Sequence, residues 1–302
     1  MLRKLNIRTI GEYIKVFGPA IVLASIGFVV AYQFVDPAPP RRITIATASP
    51  SGAYFAYGGA YSEILERDGI HLEVLPTAGS AENIKLLEEE SGGVDVALIA
   101  GGFSTLAQSD KIISLGSLYY EPFWIFHQTN LTLARLPDLK GLRVAVGEEG
   151  SGTKILAMQL LELNGITEKN TRILSYGSQE AATMLLQKKL DAAIFVTTHR
   201  SQYIQPLMKS RSVKLMGLER AKAYALQYHY FHVLEVPEGV LNFEANIPSR
   251  DITLVAVTTQ LAVRSDLHPA LINLLLQAAE EIHHKGGRFE KKGQFPSPKY
   301  VD

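Results

Sequence analysis

Residues 41–102 hold three β-rich runs: RRITIATA at 41–48, HLEVLPT at 71–77 and VDVALIAGG at 94–102. A glycine- and serine-bearing turn and an apolar segment to Leu65 follow the first run, and Ala81 to Glu90 between the other two has a helical composition. Strand, helix, strand, helix, strand in that order predicts a βαβαβ unit, which implies a parallel sheet with right-handed crossovers. The pattern starts again further on. LRVAVGEEGSGT at 142–153 reads as a strand and a glycine-rich turn, Lys154 to Leu163 as a helix closed by Asn164-Gly165, and TRILSYGS at 171–178 as the next strand. Gln179 to Lys189 is then a helix and LDAAIFVTT at 190–198 another strand.

Two α/β lobes therefore follow one another. GSLYYEPFWIFHQ at 116–128 and DITLVAVTTQLAVRS at 251–265 are long β-rich runs, the second leading into a helical stretch from Pro269 to His284. Two extended crossings predict a hinge of paired strands, with the last segment returning to the first lobe. The expected division is a first lobe at 43–128, a second lobe at 129–250, and a return at 251–302.

The chain has 302 residues, 47% apolar and 20% charged, a composition able to bury a core. It has no cysteine, which removes disulfides, thiolate metal sites and cysteine nucleophiles. Thirty basic residues balance thirty acidic ones, so no basic field points to nucleic acid. The mean hydropathy of +0.07 is slightly high, and the excess sits at the amino terminus.

From Val16 to Val35 the chain reads VFGPAIVLASIGFVVAYQFV without a charge, matching the ~20 residues a helix needs to span a bilayer. Arg3, Lys4, Arg8 and Lys15 precede it against one acid, Glu12, which favours a cytoplasmic amino terminus. Tyr32 and Phe34 are expected at the outer interface. A cleaved signal fits less well, because the apolar run is long and no convincing A-x-A site precedes Asp36. Residues 1–35 thus read as a cytoplasmic flank and transmembrane anchor, and 36–42, DPAPPRR, as a linker. With the four basic and one acidic residues of the first 35 set aside, the exported body keeps 26 basic and 29 acidic residues.

Candidate ligand groups lie in the turns after strands, where open α/β sheets bind ligands. In SPSGAYFAYGG at 49–59, Ser49, Gly52 and Tyr54 combine hydroxyls with a close backbone approach, and Ser151, Gly152 and Thr153 do so in GEEGSGTK at 147–154. Each turn opens a helix whose free N–H groups favour an anion. Taken singly, each is an ordinary capped turn. PTAGSAENIKLL adds Gly79, Ser80 and Asn83; LSYGSQEA adds Tyr176 and Ser178; Thr197 ends a further strand. GEEGSGTK departs from a phosphate loop, since Thr153 stands where lysine must reach the phosphates and Glu148 and Glu149 repel a polyphosphate. His229 and His232 in QYHYFHV read as a packed β segment rather than a metal pair. No catalytic residue, metal ligand or cofactor is expected.

The succession ATASPSGAYFAYGG, VLPTAGSAENIKLL, VDVALI, LARLPDLKGLRVAVGEEGSGT, LSYGSQEA and LDAAIFV resembles the TAXI-type solute-binding subunits of tripartite ATP-independent periplasmic (TRAP) transporters. The resemblance covers roughly 42–285, and LPDLKGLRVAVGEEGSGT is its most specific part. It implies a two-lobed type 2 periplasmic binding protein fold, here behind an N-terminal transmembrane helix. The lobes of that fold close on an organic acid or amino acid and deliver it to an integral membrane permease. Carried over by position, Ser49, Gly52 and Tyr54 match its first loop, Gly79, Ser80 and Asn83 its second, and Ser151, Gly152 and Thr153 its third. Ala48, Ser49 and Ala56 stand where that family tends towards glycine, glycine and proline. FPSPKYVD at the end follows a helix without a closing element, where longer relatives continue, so a shortened version is expected.

The expected protein is a non-enzymatic receptor held by one pass in the inner membrane, its body periplasmic. A tethered ligand sensor without a transport role is the alternative.

Overall fold

The computed structural model describes residues 7–33, 38–89, 93–103 and 110–301. The chain forms two compact units, Met1–Pro39 and Pro40–Asp302. The first contains helix α1 (Ile7–Gln33), 27 residues long with Pro19 inside it. Its described apolar side chains, among them Val16, Ile21, Leu23, Ile26 and Val29, are exposed. Among the described residues no helix is long and apolar enough to cross a membrane. The span expected over 16–35 is therefore not shown; Phe34 and Val35, its last two residues, lie outside the described residues, as do Arg3, Lys4, Asp36 and Pro37.

The second unit starts with β1 (Arg42–Ala46), α2 (Ala53–Glu66), β2 (His71–Leu75), α3 (Ser80–Glu88) and β3 (Val96–Ala100). The 17-residue strand β4 (Ile112–Gln128) follows, then a 3₁₀ turn at Leu136–Leu139, β5 (Arg143–Ala145), α4 (Gly152–Glu162), β6 (Arg172–Leu174), α5 (Ser178–Leu186) and β7 (Ala192–Val196). The remainder is α6 (Ile204–Lys209), β8 (Val213–Leu215), α7 (Ala221–Gln227), β9 (His232–Val236), β10 (Ile252–Arg264), α8 (Pro269–His283) and a 3₁₀ turn at Pro298–Tyr300.

The strands run in the order β2-β1-β3-β10-β4-β7-β5-β6, with β8 on β4 and β9 on β10. β1 pairs in parallel with β2 and β3, and β5 with β6 and β7, as the two strand–helix repeats require. β3 (VALIA) and β7 (AAIFV) are buried at every position, which a strand covered by helices on both faces must be.

Antiparallel strands β4 and β10 join the two halves. β4 pairs with β10 up to Pro122 and with β7 from Phe123 onward, so one continuous strand serves both halves and the change of partner falls earlier than 128. Register shifts at Thr259/Gln260 and Leu261/Ala262 bend the pair, and Gly116 takes φ +133° opposite the bend.

Two segments differ from the sequence reading. In QYHYFHV the strand begins only at His232, and His229 lies in the turn after α7. The tail does have a closing element: Ser297 exchanges two 2.9 Å backbone bonds with Ser117, and Phe295 is buried between the rings of Tyr120 and Tyr300. Proline spacing in FPSPKY hides this from a periodicity argument, because a single bridged residue has no period.

Candidate functional site

Helices α2, α3, α4 and α5 all begin at one cavity of about 570 Å³, counted out to its open mouth. They begin there because each follows the carboxyl end of a parallel strand through a short turn. Most residues of those turns that face the cavity are small, Ser49, Gly52, Ala78, Gly79, Ser151 and Gly152 among them, so the backbones converge with little side chain between them. Gly52 caps α2 in an extended conformation, and its N–H donates to the Ser49 carbonyl at 2.8 Å. Gly79 opens α3 at φ +123°, a conformation that favours glycine. Ser151 caps α4: its Oγ accepts from the Lys154 N–H at 3.1 Å and donates to the Glu148 carbonyl at 2.7 Å. Gly177 precedes Ser178 at the start of α5.

First-turn amides have no carbonyl inside their own helix to bond. Four such starts around one cavity place N–H donors and partial positive charge where a carboxylate, sulfonate or similar head group would sit, each worth ~0.3–1 kcal/mol and more when partly buried.

Ser49, Gly52, Tyr54, Gly79, Ser80, Ser151, Gly152, Thr153, Ser178 and Thr197 all line this cavity. Asn83 and Tyr176 do not. The Asn83 amide points inward, donating to the carbonyls of Thr47 at 2.7 Å and Leu98 at 2.8 Å while its Oδ1 accepts from Thr77 at 2.6 Å. It ties β1, β3 and α3 together beneath the site. Tyr176 packs against the core cluster around Trp124 and Phe195.

Two further residues bear on the chemistry. Tyr203 at the start of α6 lines the cavity, and its hydroxyl is buried among those of Thr197, Ser178 and Ser201. Glu121 projects from β4 and is only 3% exposed. Its Oε2 accepts from the Tyr54 hydroxyl at 2.7 Å. Burial pushes the Glu121 carboxyl up to about 7, against the opposing pull of the Tyr54 and Thr259 hydroxyls. The same burial, together with the Glu121 charge, raises the Tyr54 phenol well above its usual range. A single acid inside the apolar run LYYEPFWIF was the available signal for Glu121; nothing in the sequence marks Tyr203.

The only tryptophan, Trp124, is fully buried and donates through Nε1 to the Thr197 carbonyl at 2.8 Å, one residue's width from the cavity wall. Among the described residues no group of His, Asp and Glu is placed to hold a metal.

The model of the NMT1-like family matches residues 45–285, most of the second unit. The chain belongs to the NMT1-like family. This membership does not assign the finer TAXI grouping. In fold the NMT1-like chain is similar to an ArgBP mutant from T. maritima, with a TM-score of 0.52 and 12% identity over 82% of this chain and 92% of that one. The substrate-binding protein of an amino acid ABC transporter matches with a TM-score of 0.51 and 12% identity, covering 82% and 95%. The alkanesulfonate-binding protein SsuA from Xanthomonas axonopodis pv. citri, bound to MOPS, matches with a TM-score of 0.52 and 13% identity, covering 82% and 76%. At these identities the likeness concerns the fold, which is the mixed α/β fold of periplasmic binding proteins.

Proposed function

We propose that this chain is a membrane-anchored, extracytoplasmic solute-binding protein that captures a small organic anion or amino acid for a TRAP-type secondary transporter. The observation that carries the reading is the convergence of four helix starts on one cavity between sheet halves joined by β4 and β10. In it, residues 43–128 with 251–302 act as one lobe and 129–250 as the other, and they close by bending the two shared strands. Ser49, Gly52, Tyr54, Gly79, Ser80, Ser151, Gly152, Thr153, Ser178 and Thr197 contact the ligand. Family membership and the binding-protein fold support capture of a solute. The order of motifs described above supports the TRAP-type partner.

The uncharged run from Val16 to Val35 and the basic residues that precede it support the anchor. Recovery of the full chain in the membrane fraction, resistant to carbonate extraction, is the expected result; release by carbonate would remove the anchor.

Titration of the protein with dicarboxylates and amino acids, followed through Trp124 fluorescence and melting temperature, tests capture. At least one ligand is expected to raise the melting point. A panel in which none does would count heavily against the proposal. Co-purification with integral membrane permease subunits is the result expected of a transport receptor, and its absence would favour a tethered sensor.

A further inference from the structure

The cavity's charges do not balance from within the protein. Among the described residues its lining includes two carboxylates, Glu121 and half-buried Glu148, and no lysine, arginine or histidine. The titratable groups whose charge Glu121 influences are Tyr54, Tyr57, Tyr119 and Tyr203, four phenols that burial holds neutral. The Tyr54 hydroxyl donates to one carboxylate oxygen and the Thr259 hydroxyl also favours the ionised form, but both are neutral groups. A buried carboxylate without a cationic partner is unfavourable, and it is kept where something from outside completes it.

The helix starts cannot be that partner alone. They suit an anion, and an anion brought to them next to Glu121 and Glu148 would be repelled unless it also carried positive charge. A ligand bearing both signs resolves both demands: its carboxylate takes the first-turn amides of the helices and its ammonium takes the acid on β4.

We infer that Glu121 is the specificity-determining residue of this cavity, and that it selects α-amino acids over organic acids of the same shape by pairing with the ligand's ammonium group. The inference rests on the receptor reading above and narrows its ligand class. Glu148, half-buried beside Gly177, adds to the same negative wall.

Matched probes test it: L-alanine with L-lactate, L-phenylalanine with L-phenyllactate, and L-glutamate with L-2-hydroxyglutarate, each pair differing by ammonium against hydroxyl. The full-length protein, in mild detergent, is titrated with all six while Trp124 fluorescence is read. The amino acid of at least one pair is expected to bind 100-fold or more tightly than its hydroxy acid, and Glu121→Gln is expected to erase most of that ratio. A hydroxy acid binding as tightly as its amino acid, or a ratio unchanged in a folded Glu121→Gln protein, overturns the inference while leaving the receptor reading intact. If no member of any pair binds while a dicarboxylate of the wider panel does, this inference falls and the receptor reading stands; if nothing in the wider panel binds either, both fall.

The unmodified protein supplies a measurement that needs no variant. Pairing with an ammonium requires the ionised acid, so affinity for the amino acid is expected to rise up to tenfold per pH unit towards neutrality and to level off above it. Affinity that instead falls over that range would mean that Glu121 donates a proton to a ligand carboxylate, which overturns the inference.

Discussion

A Cβ added to Gly152 at the start of α4 would come within 2.8 Å of the Ser80 Oγ at the start of α3. Ser80 is pinned, since its Oγ accepts the Ala100 N–H at 2.9 Å, so it has little freedom to retreat. A Cβ on neighbouring Gly79 would stand 3.5 Å from the Gly152 nitrogen. The two helix starts are thus in contact, one from each sheet half. Gly152→Ala is expected to cost about 1–3 kcal/mol of this arrangement, roughly 5- to 150-fold in affinity for any ligand enclosed by it. Calorimetric titration against the parent protein measures it. A lower melting point without a loss of affinity would instead make the contact part of the resting fold.

The acid on β4 sets a pH dependence of stability. Its folded-state pKa of about 7 lies above the ordinary glutamate value, so the folded state holds the proton more tightly than the unfolded chain. The resulting stabilisation is complete below about pH 4.5 and is lost as pH rises through 7. Glu121→Gln removes this dependence. The difference in unfolding free energy between variant and parent, measured without ligand, is expected to grow in the variant's favour from pH 5 to pH 8, by at most about 3 kcal/mol. A constant difference across that range would place the Glu121 pKa in its ordinary position.

Asn83→Ala is expected to act on stability rather than on binding. It leaves the carbonyls of Thr47 and Leu98 without their donor at the junction of β1, β3 and α3, a loss of about 2–4 kcal/mol in denaturant unfolding. Ligand affinity of the folded fraction is expected to change less than threefold; a larger change would return Asn83 to the binding surface.

Phe295→Ala is expected to cost about 3–5 kcal/mol, because the ring is buried and meets Tyr120 edge-on at 5.2 Å. The tail also bonds Tyr120 through Glu290, whose Oε1 accepts its N–H, and through Gln294, which donates to its hydroxyl. Faster proteolysis of the last residues in the variant checks whether they release together.

The sequence exposed the parts of this molecule that repeat. Small residues after a β-rich run, followed by a helical composition, recur at Ser49–Gly52, Gly79–Ser80, Ser151–Thr153 and Ser178, and each recurrence became a wall of the cavity. What it concealed depends on the direction a single side chain takes. Asn83 and Ser80 lie in the same helix start, yet only Ser80 lines the cavity, because the Asn83 amide is taken up by the Thr47 and Leu98 carbonyls. Glu121 is inconspicuous in the sequence because its neighbours on β4 are apolar and the run reads as core. The run is indeed core, and the single carboxylate inside it becomes meaningful only when β4 is seen to floor the cavity. The elements between 199 and 250 escaped because they are short: α6, β8 and α7 span six, three and seven residues, too few to establish a period.

In the proposed receptor the helix starts would hold an anionic head group through main-chain N–H groups, and main-chain groups are not lost when a side chain is replaced. Drift at Ala48, Ala78, Ala100 or Val196 on the cavity wall would reshape the space for the rest of the ligand while leaving the head-group grip in place. Such a scaffold can change what it carries by a few substitutions and still never pass through a form that binds nothing.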